Sequence, residues 1–319
     1  MARGQTPPRR TPQTDPCREE IENQFTSMKV AVIGLGMMGR QIAQLFAQYG
    51  HDVSVTDDNP DVLRKGLDEI ANGTYGVKSA VEKGKLSARE AEQTLKRIHA
   101  VPTIRDASAA ARLVIEAVFE RLDLKQNVFA EMDRFSPEDA ILASNTSTLS
   151  IAKIASKATR KDRVLGMHFF NPAQVTKLVE IVTTPDTSPL QIERTKTIVK
   201  EVEKTPVIAK DEPGFIANRL GLSLYVEASR LFEQGTASIH DIDTAMKLGY
   251  NHPMGPFQLA DFVGLDTRLR NLEALYQSTG DEKWIAPSGL RQMVNQGYLG
   301  DPTRKPGSKG GYYNFFAKP

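Results

Sequence analysis

The sequence predicts an α/β fold in which a doubly wound, largely parallel sheet is followed by an all-α C-terminal domain. Three observations support this prediction. Strand and helix patterns alternate from Lys29 to about Lys210, which is typical of parallel strands joined by helical crossovers. A glycine-rich turn separates the first strand from the first helix. From Pro213 onward, helical patterns follow one another with no convincing strand between them.

The predicted strands are short apolar runs with many β-branched residues. The first two cover residues 29–33 and 52–56, with a helical pattern at 40–49 between them. A long polar helical pattern follows at 61–82, and Lys83-Gly84-Lys85 forms a turn before the next one, at 88–97. Six further strands are expected at residues 98–101, 112–116, 140–144, 163–169, 177–183 and 206–209.

In the last third of the chain, helices are expected at residues 216–234, 238–248 and 267–277, with a short closing segment at 312–316. The boundary falls near Asp211-Glu212-Pro213-Gly214, which divides the chain into a nucleotide-binding domain, 28–211, and a helical substrate and dimerisation domain, 212–319. Residues 1–27 contain four prolines among polar residues, and we expect them to form a disordered extension.

Composition excludes several classes of protein. The chain has 319 residues, is 40% hydrophobic and carries a net charge of +2, which argues against a nucleic-acid or membrane partner. No apolar run approaches the roughly 20 residues that span a bilayer. The single cysteine, Cys17, cannot form an internal disulfide, and the histidines lack metal-ligand spacing, so we assign no metal. A cytoplasmic location is expected. We also expect His51 and His99 to lie at surface turns.

The glycine-rich turn is Gly34-Leu35-Gly36-Met37-Met38-Gly39. In a Rossmann-type domain the first glycine permits the tight turn, the second lets the backbone approach a pyrophosphate, and the third lets the helix pack on the strand. Asp57 follows the second strand, about twenty residues further on, where a carboxylate binds ribose hydroxyls and repels a 2′-phosphate. This context predicts NAD as the cofactor; a plain glycine turn with a solvated aspartate is the alternative.

A histidine lies in Gly166-Met167-His168-Phe169-Phe170-Asn171-Pro172, and Glu180 follows it twelve residues later. An antiparallel turn centred near Gln174 would place Glu180 directly opposite His168. A carboxylate against one ring nitrogen fixes the tautomer, stabilises the charged form and leaves the other nitrogen to take a proton. By themselves these two residues are equally compatible with a structural histidine. The nucleotide-binding motif favours a general base with its orienting partner.

From Met28 to Phe316 the chain resembles the 3-hydroxyacyl-CoA dehydrogenase family, and within it the 3-hydroxybutyryl-CoA dehydrogenases. Seven ordered motifs carry the resemblance. They are the glycine turn, Val114-Ile115-Glu116-Ala117-Val118-Phe119-Glu120, Ala143-Ser144-Asn145-Thr146-Ser147, the histidine motif with Glu180, Asp211-Glu212-Pro213-Gly214-Phe215-Ile216-Ala217-Asn218-Arg219, Asp241-Ile242-Asp243-Thr244-Ala245-Met246 and Pro253-Met254-Gly255-Pro256-Phe257.

The resemblance implies an active site in the cleft between a Rossmann-type domain and a dimer-forming helical domain. It implies His168 as the catalytic base, Glu180 as its partner, and Ser147 and Asn218 as polar groups near the reacting oxygen and thioester. Glu120 and Lys125 match family positions near the nicotinamide ribose, and Asn145 lies at a strand end where nucleotides bind; ordinary strand-end polarity is the alternative for all three. Contacts with the phosphates of coenzyme A are assigned to Lys78, Lys83 and Lys85, for which a solvated helix face is an equally compatible interpretation.

The implied reaction is the NAD-dependent interconversion of (S)-3-hydroxyacyl-CoA, of short chain, and 3-oxoacyl-CoA, as in fatty acid β-oxidation. Two other functions remain open from the sequence. One is a dehydrogenase of another hydroxy acid, because the histidine–glutamate chemistry does not require coenzyme A. The other is a non-catalytic nucleotide-binding relative. The presence of all four implied catalytic residues argues against the second.

The helical domain carries more apolar residues than one buried face requires. The apolar residues of its first helix include Leu220, Leu222, Leu224, Val226, Leu231 and Phe232. A domain of about 100 residues has limited capacity to bury them. We therefore expect a homodimer built mainly through residues 213–319.

Overall fold

The computed structural model describes residues 27–316. All of the predicted N-terminal extension except Ser27 lies outside this range, as does Cys17. The described chain forms two compact units, residues 27–145 with 155–207, and residues 146–154 with 208–316. The second unit includes residues 146–154 because Asp211 accepts hydrogen bonds from the N–H groups of Ile151 and Ala152. The division after residue 211 stays a prediction.

One sheet contains eight strands, which run in the spatial order β3-β2-β1-β4-β5-β6-β7-β8. Strands β1 to β6 pair in parallel, and β7 pairs antiparallel to β6. The prediction of a doubly wound, largely parallel sheet is therefore confirmed. The strands are β1 (Lys29–Ile33), β2 (Asp52–Thr56), β3 (Ile98–Ala100), β4 (Leu113–Glu116), β5 (Ile141–Ser144), β6 (Val164–Phe169), β7 (Leu178–Thr183) and β8 (Thr205–Lys210).

The strand order reverses at β1, which lies between β2 and β4. Ile33 at the end of β1 pairs with Thr56 on one side and with Glu116 on the other. Because the connections from β1 and β4 leave in opposite directions, a crevice forms beyond the carboxyl ends of these strands. This is the point in a doubly wound sheet where ligands bind.

Eight helices accompany the strands. They are α1 (Met37–Gln48), α2 (Pro60–Asn72), α3 (Val77–Glu82), α4 (Ala88–Lys96), α5 (Ile104–Ser108), α6 (Leu122–Phe135), α7 (Ile151–Ile154) and α8 (Pro189–Glu201). The prediction of one helix over 61–82 was wrong, because α2 ends at Gly73 and α3 begins after Gly76. A Cβ atom at Gly73 would lie 2.5 Å from the carbonyl oxygen of Glu69, so this tight turn requires glycine.

The core of the first unit lies between the sheet and helix α1. Every second side chain of β1, β2 and β4 belongs to one apolar cluster. Ile42, Leu45 and Phe46 of α1 are fully buried in the same cluster. The burial of these apolar groups stabilises the fold by roughly 1.5–3 kcal/mol for each large side chain. Helix α1 is thereby fixed on the sheet with its N-terminus at the crevice.

The second unit is helical beyond β8, as predicted. Its helices are α9 (Ala217–Glu233), α10 (Ile239–Tyr250), α11 (Pro256–Val263), α12 (Leu265–Thr279), α13 (Ser288–Asn295) and α14 (Tyr312–Phe315). The sequence patterns missed α11 and α13, whose length of eight residues gives a weak periodic signal. Trp284, Tyr225 and Phe257 fill the core. Across residues 27–316, no helix is long and apolar enough to cross a membrane.

The expectation that His51 lies at the surface was wrong. His51 is 1% exposed, its ring packs on Phe46, and its Nδ1 accepts a hydrogen bond from the N–H of Met28 at 3.3 Å. Nε2 is buried without a hydrogen-bond partner. Burial, reinforced by the positive charge of Arg97, lowers the pKa of His51 to about 4. His51 is therefore neutral in the folded protein near pH 6.

The burial of His51 predicts a loss of stability in mild acid. The unfolded chain takes up a proton on this ring near pH 6.5, whereas the folded protein does so only near pH 4. The stabilisation is complete above pH 6.5 and is lost as the pH falls toward 4, with a slope of at most about 1.4 kcal/mol per pH unit. Chemical denaturation between pH 7 and pH 5 should show a steeper decline in the wild type than in His51→Phe.

Glu201, whose pKa burial raises to about 7, contributes the opposite slope. It does so equally in both proteins, so it cancels in the comparison. His99 is exposed, and His99→Phe serves as the control that keeps the wild-type slope. Equal slopes for the wild type and His51→Phe would contradict the assignment.

Candidate active site

The glycine turn between β1 and α1 has the conformation that its sequence predicts. Gly34 has φ of 92°, a left-handed value that favours glycine, and its N–H donates to the carbonyl oxygen of Thr56 at 2.8 Å. A Cβ atom at Gly39 would lie 1.8 Å from the carbonyl oxygen of Gly34, so α1 can approach the turn only with glycine there. Both positions are required for the fold itself.

Gly36 differs, because a Cβ atom there would meet no protein atom within 4 Å. It is the N-cap residue of α1 and, being glycine, it has no side chain that could cap this helix end. The first N–H groups of a helix have no partner within the helix, and together with the helix dipole they attract an anion. The open space at Gly36 therefore fits the pyrophosphate of a dinucleotide.

Asp57, after β2, is bound to the same turn. Its Oδ2 accepts a hydrogen bond from the N–H of Leu35 at 2.8 Å, and its Oδ1 accepts one from the N–H of Asn59 at 3.0 Å. These bonds hold the carboxylate beside the glycine turn, at the distance along the chain where a ribose is expected. Its neighbour Asp58 is exposed.

The register of β6 and β7 confirms that His168 and Glu180 are direct cross-strand partners. Nδ1 of His168 lies 2.7 Å from Oε2 of Glu180. Both residues are buried, at 5% and 1% exposure, and the ring of Phe170 lies 4.4 Å from the His168 ring. A carboxylate this close and this poorly solvated holds the ring in one orientation and one tautomer.

Asn145, at the end of β5, ties its strand to the histidine strand. Its Oδ1 accepts a hydrogen bond from the N–H of Phe169 at 2.9 Å, and its own N–H donates to the carbonyl oxygen of Glu116 at 2.9 Å. Asn145 is thus hydrogen-bonded to the residue that directly follows His168 in the chain. The proposed contact of Asn145 with a cofactor stays a prediction.

The role of Glu116, which is fully buried at the end of β4, was not predicted from the sequence. Its carboxylate accepts hydrogen bonds from Nζ of Lys125 at 2.6 Å, from Oγ of Ser144 at 2.6 Å and from the N–H of Val118 at 2.7 Å. Burial raises the pKa of Glu116 against the opposing charge of Lys125. Its position on a strand with an apolar pattern gave no sign of this network.

Lys125 is 1% exposed, and its ammonium group also contacts the carbonyl oxygen of Val118 and, at 3.3 Å, the carboxylate of Glu120. An ammonium group has three donors, and these oxygens use all three. A direct contact of Lys125 with a cofactor would require one of these bonds to open. Glu120, 39% exposed at its side chain, is the member of this network that reaches the surface.

The remaining predicted site residues are spread over both units. Ser147 lies in the segment 146–154, whose helix α7 is capped by Asp211 through Ile151 and Ala152. Asn218 lies in the first turn of α9, also in the second unit. In the first unit, the three lysines predicted to contact coenzyme A are exposed on and after α3; they are Lys78, Lys83 and Lys85. Within residues 27–316, no cluster of three or more metal-ligating side chains occurs.

Comparison with known proteins agrees with this architecture. Residues 29–212 match the family model of the 3-hydroxyacyl-CoA dehydrogenase NAD binding domain, and residues 214–310 match that of the C-terminal domain. The rat protein named hydroxyacyl-coenzyme A dehydrogenase, mitochondrial, is 41% identical over 290 residues, which cover 90% of each chain. The 3-hydroxybutyryl-CoA dehydrogenase of Clostridioides difficile is 39% identical over 90% of this chain and 99% of its own.

Among solved structures, (S)-3-hydroxybutyryl-CoA dehydrogenase from Ralstonia eutropha is similar, with a TM-score of 0.80 and 38% identity. The match covers 86% of this chain and 96% of that one. The likeness therefore extends over the sheet and over the helical unit.

The open space at Gly36 predicts a variant that folds but binds NADH poorly. In Gly36→Ala the added methyl group meets no protein atom and the backbone is extended, so the midpoint of thermal unfolding should stay within about 2 °C. The methyl group would occupy the place of the pyrophosphate, and we expect the Kd for NADH to rise at least about tenfold. Fluorescence titration measures this.

Gly289→Ala is the matched control, because a Cβ atom there meets only the end of the Phe316 side chain, at 3.9 Å, in the first turn of α13 in the second unit. It should leave the NADH affinity unchanged. Wild-type affinity in Gly36→Ala would remove the turn from the binding site.

Proposed function

The chain belongs to the 3-hydroxyacyl-CoA dehydrogenase family, and we propose that His168 is the acid/base with which it interconverts (S)-3-hydroxyacyl-CoA and 3-oxoacyl-CoA. Membership of this family makes the protein an NAD-dependent oxidoreductase. The single observation that carries the proposal is the 2.7 Å contact between Nδ1 of His168 and the buried carboxylate of Glu180. Because Glu180 occupies Nδ1, the other ring nitrogen, Nε2, is the one that exchanges a proton with the substrate.

In the oxidation direction, Nε2 of His168 accepts the proton of the substrate hydroxyl. NAD, when bound, supplies the hydride acceptor. The imidazolium that forms at His168 is stabilised by Glu180, which accepts a hydrogen bond from the Nδ1–H group. In reduction, the protonated ring donates from Nε2 to the oxygen of the ketone as it becomes an alcohol.

The burial of Glu180 strengthens this effect. With 1% exposure, its charge is poorly screened by water, and the attraction to a cation 2.7 Å away is several-fold greater than at a surface. The ring of Phe170 covers His168 and further limits the access of water. The dyad therefore holds Nε2 as the ring nitrogen that exchanges a proton with the substrate.

Ser147 and Asn218 are assigned the role of neutral hydrogen-bond donors to the substrate oxygen or thioester. A hydroxyl and an amide can stabilise a developing alkoxide without adding a charge. Support comes from the matching motifs in which both residues occur. Asp57 is assigned the ribose hydroxyls of NAD, which is supported by its hydrogen bond to Leu35 in the glycine turn.

The substrate is proposed to be a short-chain acyl-CoA, such as 3-hydroxybutyryl-CoA. The names of the relatives from Clostridioides difficile and Ralstonia eutropha support this chain length. The exposed ammonium groups of Lys78, Lys83 and Lys85 are assigned to the phosphates of coenzyme A. A cytoplasmic location completes the proposal, and cell fractionation tests it against the mitochondrial location in the rat protein's name.

The role of the dyad predicts the effect of two substitutions. His168→Gln removes the group that donates the proton in the reduction, and kcat with acetoacetyl-CoA and NADH should fall by roughly 10² to 10⁴ while the Kd for NADH stays nearly unchanged. Glu180→Gln weakens the stabilisation of the imidazolium and should slow the reaction as well. The absorbance of NADH measures both.

His99→Gln is the control, since His99 is exposed on β3, and it should keep wild-type turnover. Near-normal turnover of His168→Gln would refute the mechanism. Failure of the wild type to reduce acetoacetyl-CoA would refute the substrate class.

The homodimer is also part of the proposal, with a surface that differs from the one expected. Leu222 and Val226 of α9 are buried in the core of their own unit, so they are not available to a partner. Of the residues expected there, Leu220 is 66% exposed, and on α10 Leu248 and Tyr250 are 82% and 75% exposed. Side chains of this size are rarely left in water together, and a second copy would cover them.

The exposed residues on α10 predict a variant that does not dimerise. Light scattering of the wild type at micromolar concentration should give about twice the chain mass of 35.2 kDa. The double variant Leu248→Lys/Tyr250→Lys should give the mass of one chain, because two charges would be buried in the interface. Leu190→Lys, at a residue 59% exposed in the first unit, should remain dimeric. A monomeric wild type with full activity would refute the proposal.

A further inference from the structure

Two buried glutamines lie on helix α1, which begins at the glycine turn. Gln41 is 5% exposed and Gln44 is 2% exposed. Glutamine is seldom buried unless its amide finds partners, because an unpaired amide in the protein interior is destabilising. The positions of these partners show what the two side chains hold in place.

Gln41 binds the turn that follows the histidine strand. Its Nε2 donates to Oδ1 of Asn171 at 2.9 Å, and its Oε1 accepts from the N–H of Ala173 at 2.8 Å. Ala173 is 1% exposed, so its N–H group depends on this acceptor. Gln41 therefore bridges the first turn of α1 and the chain three to five residues after His168.

Gln44 lies one turn further along the same helix and makes two hydrogen bonds of its own. Its Oε1 accepts from the side chain of Gln174 at 3.0 Å, and its Nε2 donates to the carbonyl oxygen of Tyr75 at 2.9 Å. Neither bond involves the backbone between His168 and Ala173. The two glutamines are thus alike in burial and in the number of bonds, but Gln44 reaches this turn only through the side chain of Gln174, whereas Gln41 binds the N–H of Ala173 and the side chain of Asn171.

We propose that Gln41 is a positioning residue that sets the distance between the cofactor helix α1 and the acid/base His168. The N-terminus of α1 holds the pyrophosphate in the binding mode supported by Gly36, and His168 lies at the end of β6. The nicotinamide carbon that exchanges the hydride and Nε2 of His168 must both reach the same alcohol group of the substrate. A misplacement of about 1 Å costs up to about 100-fold in rate. Gln41 joins the two elements by direct hydrogen bonds, on the side of the sheet where Phe46 of α1 also packs on Phe169, with ring centroids 6.3 Å apart. This inference rests on the proposed role of His168.

The test compares Gln41→Met with Gln44→Met. Methionine is unbranched, has nearly the volume of glutamine and suits a helix, so each variant removes two hydrogen bonds without leaving a cavity. Both should lower the midpoint of thermal unfolding by a similar amount, about 2–6 °C. With saturating acetoacetyl-CoA and NADH, Gln41→Met should lose about tenfold in kcat while its Kd for NADH stays within about twofold. Gln44→Met should keep kcat within about twofold of the wild type.

Equal losses of kcat in the two variants, or a loss in Gln41→Met that appears as weaker NADH binding, would overturn the inference. If Gln41→Met proves too unstable to purify, Asn171→Ala removes the acceptor of Gln41 at an exposed residue. It should lower kcat at least about threefold at unchanged NADH affinity, and unchanged kcat would overturn the inference. His168→Gln separates the two failures: if it is inactive while the two methionine variants are alike, only the role of Gln41 is lost.

Discussion

The pairing register of β6 and β7 determines whether this chain has an acid/base at all. Successive side chains of a strand point to opposite faces of the sheet, so a shift of one residue would move Glu180 away from His168. The observed register places the carboxylate 2.7 Å from Nδ1. Asn145 and Gln41 hold the same strand end through Phe169 and Ala173, from β5 and from α1 respectively. These contacts thus maintain the position of His168 relative to Glu180.

This geometry has an energetic cost that a purely structural core would avoid. Buried charges lose their hydration, and a buried ion pair often contributes no more stability than well-packed apolar residues. Yet Lys125 and Glu116 form such a pair at the end of β4, and the carboxylate of Glu180 is buried against His168 of β6, two strands further along the sheet. Removing one partner would leave the other charge buried alone, at a cost of about 3–5 kcal/mol. Their placement is explained by orientation of the groups that act on ligands, and not by stability.

The sequence predicted what depends on local pattern. Apolar β-branched runs located all eight strands to within one or two residues, and the glycine spacing indicated the turn before α1. The pairing of His168 with Glu180 could be predicted because the turn between their strands is short. The expected roles of Ser147 and Asn218 came from the resemblance, and they stay predictions.

The features that the sequence did not indicate depend on contacts between distant residues. His51 reads as a turn histidine, and its burial is set by Phe46 and by the N–H of Met28. From the sequence, Gln41 resembles any polar residue on the solvent-exposed face of an amphipathic helix. Its partners lie about 130 residues away in the chain and do not show in a local pattern. From the sequence, Glu116 is an ordinary polar residue at a strand end. Its role follows from its contacts with Lys125 and Ser144, which form only in the folded chain.

The tautomer of His168 tests the central claim most directly. Nitrogen-15 NMR of the ring, recorded at a pH where it is neutral and assigned by the loss of its signals in His168→Gln, distinguishes the two nitrogens. The account predicts that Nδ1 carries the hydrogen and donates it to Glu180, and that Nε2 is unprotonated and able to accept the substrate proton. A hydrogen on Nε2 in the neutral ring would contradict it.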